Sequence, residues 1–272
     1  MELKDKIIIL TGAAGGIGQA LAYKFFEEGA RIVVADKNEE RVKKLAKDVG
    51  GLGVYCDVTK EHEIKKLVSD TENYFGPVDM FCSNAGVIFE EPGDASSTSN
   101  LDWQISWEVH VMAHVYAARA VLPIMIQRGG GYILNIASAA GLLSQIANAA
   151  YSTTKHATIG FAESLSITHS NNGIKVSVVC PQYVATPMLG YKTESLDKKS
   201  SNLISASEVA SAVMIGVKEE KFLILPHPEV QKYFTNKASD YDKWLGGMSK
   251  LRENIIQDYG DLDLKSVQSF LS

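Results

Sequence analysis

Residues 6–18 read Lys-Ile-Ile-Ile-Leu-Thr-Gly-Ala-Ala-Gly-Gly-Ile-Gly. The first half, Lys6–Thr11, is a β-branched apolar run of the kind that fills a fully buried strand. It breaks into glycines and leads straight into Ile17–Glu28, which has helical periodicity and stops at Gly29. Gly12, Gly16 and Gly18 follow a G-x-x-x-G-x-G spacing. Glycine permits a tight turn there and lets backbone amides approach a pyrophosphate, while the following helix points its positive end at that anion. Thr11 and Ile17 belong to the same loop. A glycine-rich turn without a ligand is the plain alternative, and the strand–turn–helix context speaks against it.

The same alternation continues outward. Strand-like runs recur at Arg31–Ala35, Leu52–Cys56, Val78–Ser83, Tyr132–Ala137, Ile174–Cys180 and Phe222–Leu225. Helical patterns fall between them at Glu39–Val49, Glu61–Phe75, about Leu101–Gln127, Ala149–Ser170 and Ser207–Lys218, the last with Ser207 as N-cap. Seven strands alternating with helices specify an α/β fold, a single-domain Rossmann-like doubly wound parallel sheet in the order 3-2-1-4-5-6-7 with helices on both faces. The expected division is a core domain over 1–228, including a substrate loop at 187–205. A C-terminal helical extension over 229–272 would pack on the core or on a neighbouring subunit.

The 272 residues carry a net charge of −5, with 46% hydrophobic and 22% charged residues. That is an ordinary globular composition, and its acidity gives no reason to bind nucleic acid or an anionic membrane. Cys56, Cys82 and Cys180 lie in or beside apolar runs, so they read as buried core thiols and not as a disulfide framework. The charged opening, Met1 to Lys6, runs directly into a strand, and no signal peptide or membrane span of sufficient length is seen. A cytoplasmic location is expected.

Asp36 ends the second strand, eighteen residues after Gly18. A carboxylate there grips the adenosine ribose hydroxyls and repels a ribose phosphate, so it favours NAD over NADP. Lys37 next to it pulls the other way, and a helix-capping role for Asp36 is the bland alternative. Further along, Tyr151 and Lys155 stand at i and i+4 and share one helix face. A free phenol titrates near 10, too high for a base at neutral pH. A neighbouring ammonium stabilises the phenolate and lowers that value. Ser138, thirteen residues earlier, would hydrogen-bond the substrate oxygen.

Taken together, these residues resemble the short-chain dehydrogenases/reductases over about residues 5–227. The family's glycine loop is matched by Thr11, Gly12, Gly16 and Gly18, and its adenine-contacting Asp by Asp57, followed by Val58. Its Asn-Ala-Gly turn is matched by Asn84-Ala85-Gly86, its catalytic Ser by Ser138, and its Tyr-x-x-x-Lys by Tyr151 and Lys155. Pro181 and Thr186 match its Pro-Gly turn and downstream Thr, with Gln182 where Gly is usual. The resemblance implies NAD as cofactor and hydride transfer between nicotinamide and a secondary alcohol or ketone. It implies Tyr151 as general acid/base, Tyr151 and Lys155 also as cofactor contacts, and a homodimer or homotetramer. One position departs: His110 stands where the family has an Asn in the long helix, counted from Trp103. The expectation is that a neutral His110 supports the proton path from Tyr151 and Lys155. With His114 it makes an i,i+4 pair, but no third ligand is seen and no metal site is expected.

Met188, Leu189 and Tyr191 are the expected pocket lining, and the resemblance adds Phe89, Gln145, Ile146 and Tyr183; mostly apolar, they favour a hydrophobic small molecule. A steroid, a fatty chain and an aromatic diol all remain open. Two other readings share the fold: a dinucleotide sensor, and an epimerase or dehydratase using NAD transiently. The intact Ser138, Tyr151 and Lys155 speak against the sensor. The long helix carries apolar residues all round (Ile105, Trp107, Val109, Val111, Met112, Val115, Tyr116, Val121, Leu122, Ile124), more than one stripe on a sheet would bury. In the extension, Trp244, Leu245, Met248 and Leu251 lie at helical spacing.

Overall fold

Strands that are apolar on both sides must be covered on both sides, and this decides the architecture. The structure, a computed structural model, describes residues 1–91, 93–191, 203–260, 262–263, 266–267 and 270. Strands β1 (Ile7–Thr11), β2 (Arg31–Asp36), β3 (Leu52–Tyr55), β4 (Met80–Ser83), β5 (Gly131–Ile136) and β6 (Ile174–Val179) pair in parallel. β7 (Tyr183–Ala185) and β8 (Leu203–Ser205) form a small parallel ribbon of their own. β9 (Leu223–Ile224) then completes the seven-stranded sheet, ordered β3-β2-β1-β4-β5-β6-β9. The expected order therefore holds, with the ribbon inserted before the edge strand.

Alternation along each strand sorts side chains between two cores. Ile9, Val33, Phe81 and Ile133 face α3 (Glu61–Tyr74), α5 (Ala113–Gln127) and α7 (Ala149–His169). Ile8, Leu10, Ile32 and Val34 face α1 (Gly16–Glu27), α2 (Glu39–Asp48) and α8 (Ala206–Lys218). Burying each such side chain contributes roughly 1.5–3 kcal/mol. The three cysteines are buried and free, and burial pushes the Cys56 and Cys180 thiols up to about 12.

Three local expectations are corrected. The cap of α8 is Ser205, not Ser207. Its hydroxyl accepts the Glu208 N–H at 3.1 Å while the Glu208 carboxylate accepts from the Ser205 N–H at 2.8 Å. This reciprocal pairing needs a Glu three residues after the cap, which Ser207 lacks. The long helix is not continuous. α4 (Asn100–Trp107) gives way to a π-helical turn over Glu108–Met112 before α5 begins. Finally, Asn100–Gln127 is in length and composition apolar enough to span a membrane, contrary to expectation. Here Val109, Ala113, Ala117, Val121 and Met125 bury it against the sheet.

Past β9 come α9 (Glu229–Ser239) and α10 (Tyr241–Tyr259), the latter capped by Asp240. Trp244, Met248, Leu251 and Ile255 form the inward stripe of α10, while Leu245 is exposed because helical periodicity turns it away. Of the expected substrate loop, residues 192–202 lie outside the described residues, as do parts of the extension beyond 260.

Candidate active site

At the carboxyl ends of β1 and β4 the sequence places polar residues where the sheet order reverses, the usual place for a crevice in such folds. Asn84 stitches the two ends together. Its Nδ2 donates to Thr11 O at 3.0 Å and to Gly12 O at 2.9 Å, and its own N–H donates to Thr11 Oγ1 at 3.2 Å. Gly12 adopts φ +63°, and a Cβ there would meet Ala85 Cα at 2.6 Å. A Cβ on Gly18 would meet Gly12 O at 2.2 Å. The glycines are thus required by close backbone approach, and they leave a cradle at the start of α1.

The Asp36 carboxylate accepts from the Ala14 N–H at 3.1 Å and from the Asn38 N–H at 3.0 Å, which locks it beside the glycine loop. Lys37 turns away to Asp57, 3.4 Å distant. The Thr59 hydroxyl and amide and the Lys37 ammonium together hold Asp57 below the ordinary carboxylate range, against the opposing effect of its burial. Arg41, which the sequence reading passed over, also lines the cleft. It stands in the first turn of α2, five residues after Asp36, and only the folded helix shows that it leans over Gly15, whose Cβ would lie 3.9 Å from its guanidinium.

The cleft runs on for about 530 Å³. Gly12, Gly16, Ile17, Gly18, Asp36, Asp57, Val58, Asn84, Ala85, Gly86, Ser138, Tyr151, Lys155, Pro181 and Thr186 all line it, and a Cβ on Gly16 would lie 3.2 Å from Thr186 and one on Gly86 3.9 Å from Lys155 Nζ. Thr11 lies just beneath it. α7 is fixed at its start because Asn148 accepts the Tyr151 N–H at 3.0 Å. Tyr151 and Lys155 then project from one face. Lys155 Nζ donates to Ile136 O at 3.1 Å and lies 5.5 Å from the centroid of the Tyr151 ring. Burial lowers the Lys155 ammonium to about 8. Burial also pushes the Tyr151 phenol above its ordinary value, and the Ser138 hydroxyl bonded to it pulls down. The lowering expected from Lys155 is not seen, since burial dominates and only the Ser138 hydroxyl opposes it.

His110 stands behind the cleft wall, with both ring nitrogens engaged. Nε2 accepts the Val87 N–H at 3.1 Å, so Nδ1 carries the proton of the neutral ring toward Thr154 Oγ1 at 2.8 Å. Its ring edge meets the Tyr151 ring at 5.4 Å. Burial above all, then the Lys155 charge, holds it well below its ordinary pKa. The π turn is what aims it there, a local departure that often marks functional sites. His114 turns to a different partner, Asn135 Oδ1, at 2.8 Å.

Two further residues escaped the sequence reading. His227 clamps the corner after β6, accepting the Gln182 N–H at 3.1 Å and pairing with Tyr183 O at 3.2 Å. Glu91 accepts the Ala149 N–H at the head of α7 at 2.6 Å. Neither has a local sequence signal, because each acts across the fold.

Comparison with known proteins decides the lineage. Residues 6–197 match the short chain dehydrogenase family. The chain belongs to the short-chain dehydrogenases. Borneol dehydrogenase from Lavandula x intermedia is 30% identical over 83% of this short-chain dehydrogenase and 88% of its own length. The CLA biosynthesis dehydrogenase/reductase of Lactiplantibacillus plantarum is also 30% identical, over 84% of this chain and 90% of that one. A short chain dehydrogenase/reductase from Burkholderia phymatum, solved in complex with NAD, superposes with a TM-score of 0.80 at 26% identity, covering 89% of this chain and 96% of that one. The present chain is thus an oxidoreductase of that family by descent and fold.

Proposed function

We propose that this short-chain dehydrogenase is an NAD(H)-dependent alcohol dehydrogenase or carbonyl reductase acting on a hydrophobic secondary alcohol or ketone. The observation that carries the reading is that one cleft joins the glycine cradle and the locked Asp36 at one end to Ser138, Tyr151 and Lys155 at the other. The residues fit a dinucleotide. The cradle is one that added Cβ atoms would fill, and the Asp36 carboxylate suits two ribose hydroxyls. Gly12, Gly16, Ile17, Gly18, Asp36, Asp57, Val58, Asn84, Ala85, Gly86, Pro181 and Thr186 would hold it, with Thr11 supporting from beneath. When bound, its nicotinamide supplies or takes up a hydride.

Ser138 donates a hydrogen bond to the substrate oxygen and fixes it beside Tyr151. Tyr151 takes the hydroxyl proton in the oxidising direction and returns it in the reducing direction. Lys155 places a cation under the phenol and favours its ionised form at the moment of transfer. His110 acts as a positioning residue. With both nitrogens committed it holds the Gly86–Val87 turn and braces the Tyr151 ring, in place of the proton relay expected at first.

The NAD preference rests on Asp36, and Arg41 argues for a ribose phosphate. Catalytic efficiencies with NAD and NADP separate them. Asp36 dominating requires NAD to win, and Asp36→Ala should erode the ratio by about tenfold. A wild type preferring NADP would overturn the assignment. The substrate class is tested by following nicotinamide absorbance with a panel of secondary alcohols, borneol among them. A panel in which only phosphorylated or strongly charged alcohols react would overturn it. Trp107 and Ile124 remain exposed on the long helix, which supports a homodimer or homotetramer through that face. A monomer in light scattering at micromolar concentration would refute this. A cytoplasmic site of action completes the reading, and fractionation checks it.

A further inference from the structure

Two of the four non-glycine residues with positive φ among the described residues fall between Ser138 and Tyr151. After Ser138 the chain makes the short helix α6 (Ala140–Leu143), then a loop in which Ser144 has φ +70° and Ala147 φ +60°. Neither is glycine, so each conformation is costly and persists only where the surroundings impose it. The loop matters because Gln145, at its centre, lines the cleft and donates from Nε2 to the Tyr183 hydroxyl at 3.1 Å. Tyr151 stands in the first turn of α7, into which the loop leads.

The C-terminal extension packs against that loop. Ala147 is buried with Ile255 of α10 and Val267, and Ile146, Leu251 and Phe270 pack around them. From α9, Lys237 reaches α6. Its side chain is buried, and Nζ donates to Leu142 O at 2.7 Å. A second contact runs to His156 Nε2 at 3.5 Å, on the turn that carries Lys155, and the Tyr241 ring lies 5.3 Å away. His156 Nδ1 donates to Ser152 O at 2.8 Å, which leaves Nε2 as the acceptor the ammonium needs. Among the described residues no carboxylate pairs with Lys237. A buried cation met, among the described residues, by a carbonyl, an imidazole and a ring is expensive. It is retained where its geometry has a use.

Resting on the oxidoreductase reading above, we propose that Lys237 is a positioning residue. Its ammonium ties the end of α6 to the Lys155 turn of α7 and, with the apolar contact at Ala147, holds the Gln145 loop in the shape that admits substrate. The extension thereby sets substrate fit and leaves dinucleotide binding untouched.

Lys237→Met and Lys237→Arg decide it. Arg keeps a cationic donor and Met keeps only the length. Hydrogen–deuterium exchange over residues 140–148 should speed up by about tenfold in Lys237→Met, the loss of one charge-assisted hydrogen bond, with exchange over 12–18 unchanged. The KM for the best alcohol of the panel should rise by a similar factor while the NAD dissociation constant, read by calorimetry, stays within about twofold. Lys237→Arg should restore most of both. If Lys237→Met does not fold, Lys237→Gln, which keeps a neutral donor, carries the same comparison with Arg. Unchanged exchange over 140–148, NAD affinity falling as far as KM rises, or Arg behaving like Met would each overturn the proposal. The exchange readout needs no substrate. A chain that oxidises no alcohol would sink the oxidoreductase reading, while exchange would still decide the role of Lys237.

Discussion

The two ends of the cleft are built differently. The glycine end is built on β1, the turn and α1 and closed by Asp36 and Asn84, and a main-chain N–H or carbonyl takes part in each of those closing hydrogen bonds. Its positions are fixed by what has no side chain, as the 2.2 Å clash of a Cβ on Gly18 with Gly12 O shows. The catalytic end is assembled from β5, α6, α7, the corner after β6 and the C-terminal helices. It is fixed by side chains, many of them ionisable and shifted by burial: Tyr151, Lys155, His110, His114 and His156. A site held through the main chain leaves little to adjust. A side-chain-built site is adjustable, and burial shifts more of its ionisable groups.

The largest contrast should appear in Tyr151→Phe. Loss of the phenol removes the acid/base and should lower kcat by about 10³-fold. NAD affinity should barely change, since the phenol is not part of the cradle. A fall in NAD binding as deep as the fall in kcat would break the division between the two ends.

Acid should loosen the catalytic end first. Burial lowers His114 to about 4, and the same cause depresses His110. Between pH 6.5 and 4 the unfolded chain therefore binds protons that the folded chain refuses, so stability is whole above 6.5 and is lost as pH falls. His114 alone accounts for a loss of about 3 kcal/mol across that window. Urea midpoints of the wild type and His114→Gln, measured from pH 7.5 to 4, should converge as pH drops. Curves that stay parallel would remove His114 from the account.

At the other end, Gly18→Ala should weaken NAD binding by about 30-fold, because the loop must open to admit the methyl group. The pH dependence of stability should stay as in the wild type. Calorimetry and acid titration on the same variant test both halves.

His110 sharpens the boundary with the smallest effect. His110→Ala strands the Val87 N–H and should lower kcat by about tenfold. His110→Asn should recover part of it, since an amide can still accept that N–H. A pH–rate profile unchanged in shape marks positioning. A lost limb of the profile in His110→Ala would restore the proton-relay role.

The sequence by itself determined the parallel sheet, the place of the glycine cradle and the common face of Tyr151 and Lys155. Each of these is set within about one strand–turn–helix unit, where periods of 2 and 3.6 residues and the stereochemistry of glycine suffice. The same local rules missed the cap at Ser205 until the Glu208 pairing was weighed. They also drew one smooth helix through Glu108–Met112, because a π turn leaves the apolar pattern nearly intact. Only the tertiary structure decided that His110 faces Val87 and Thr154, that Arg41 leans over the cleft, and that burial raises the Tyr151 phenol against the pull expected of Lys155. It alone brought Lys237 to Leu142, 95 residues away in the chain. The physical reason is that such contacts pair side chains across the sheet and helices. Their energies depend on desolvation and distance, and neither is written in the spacing of residues along one element.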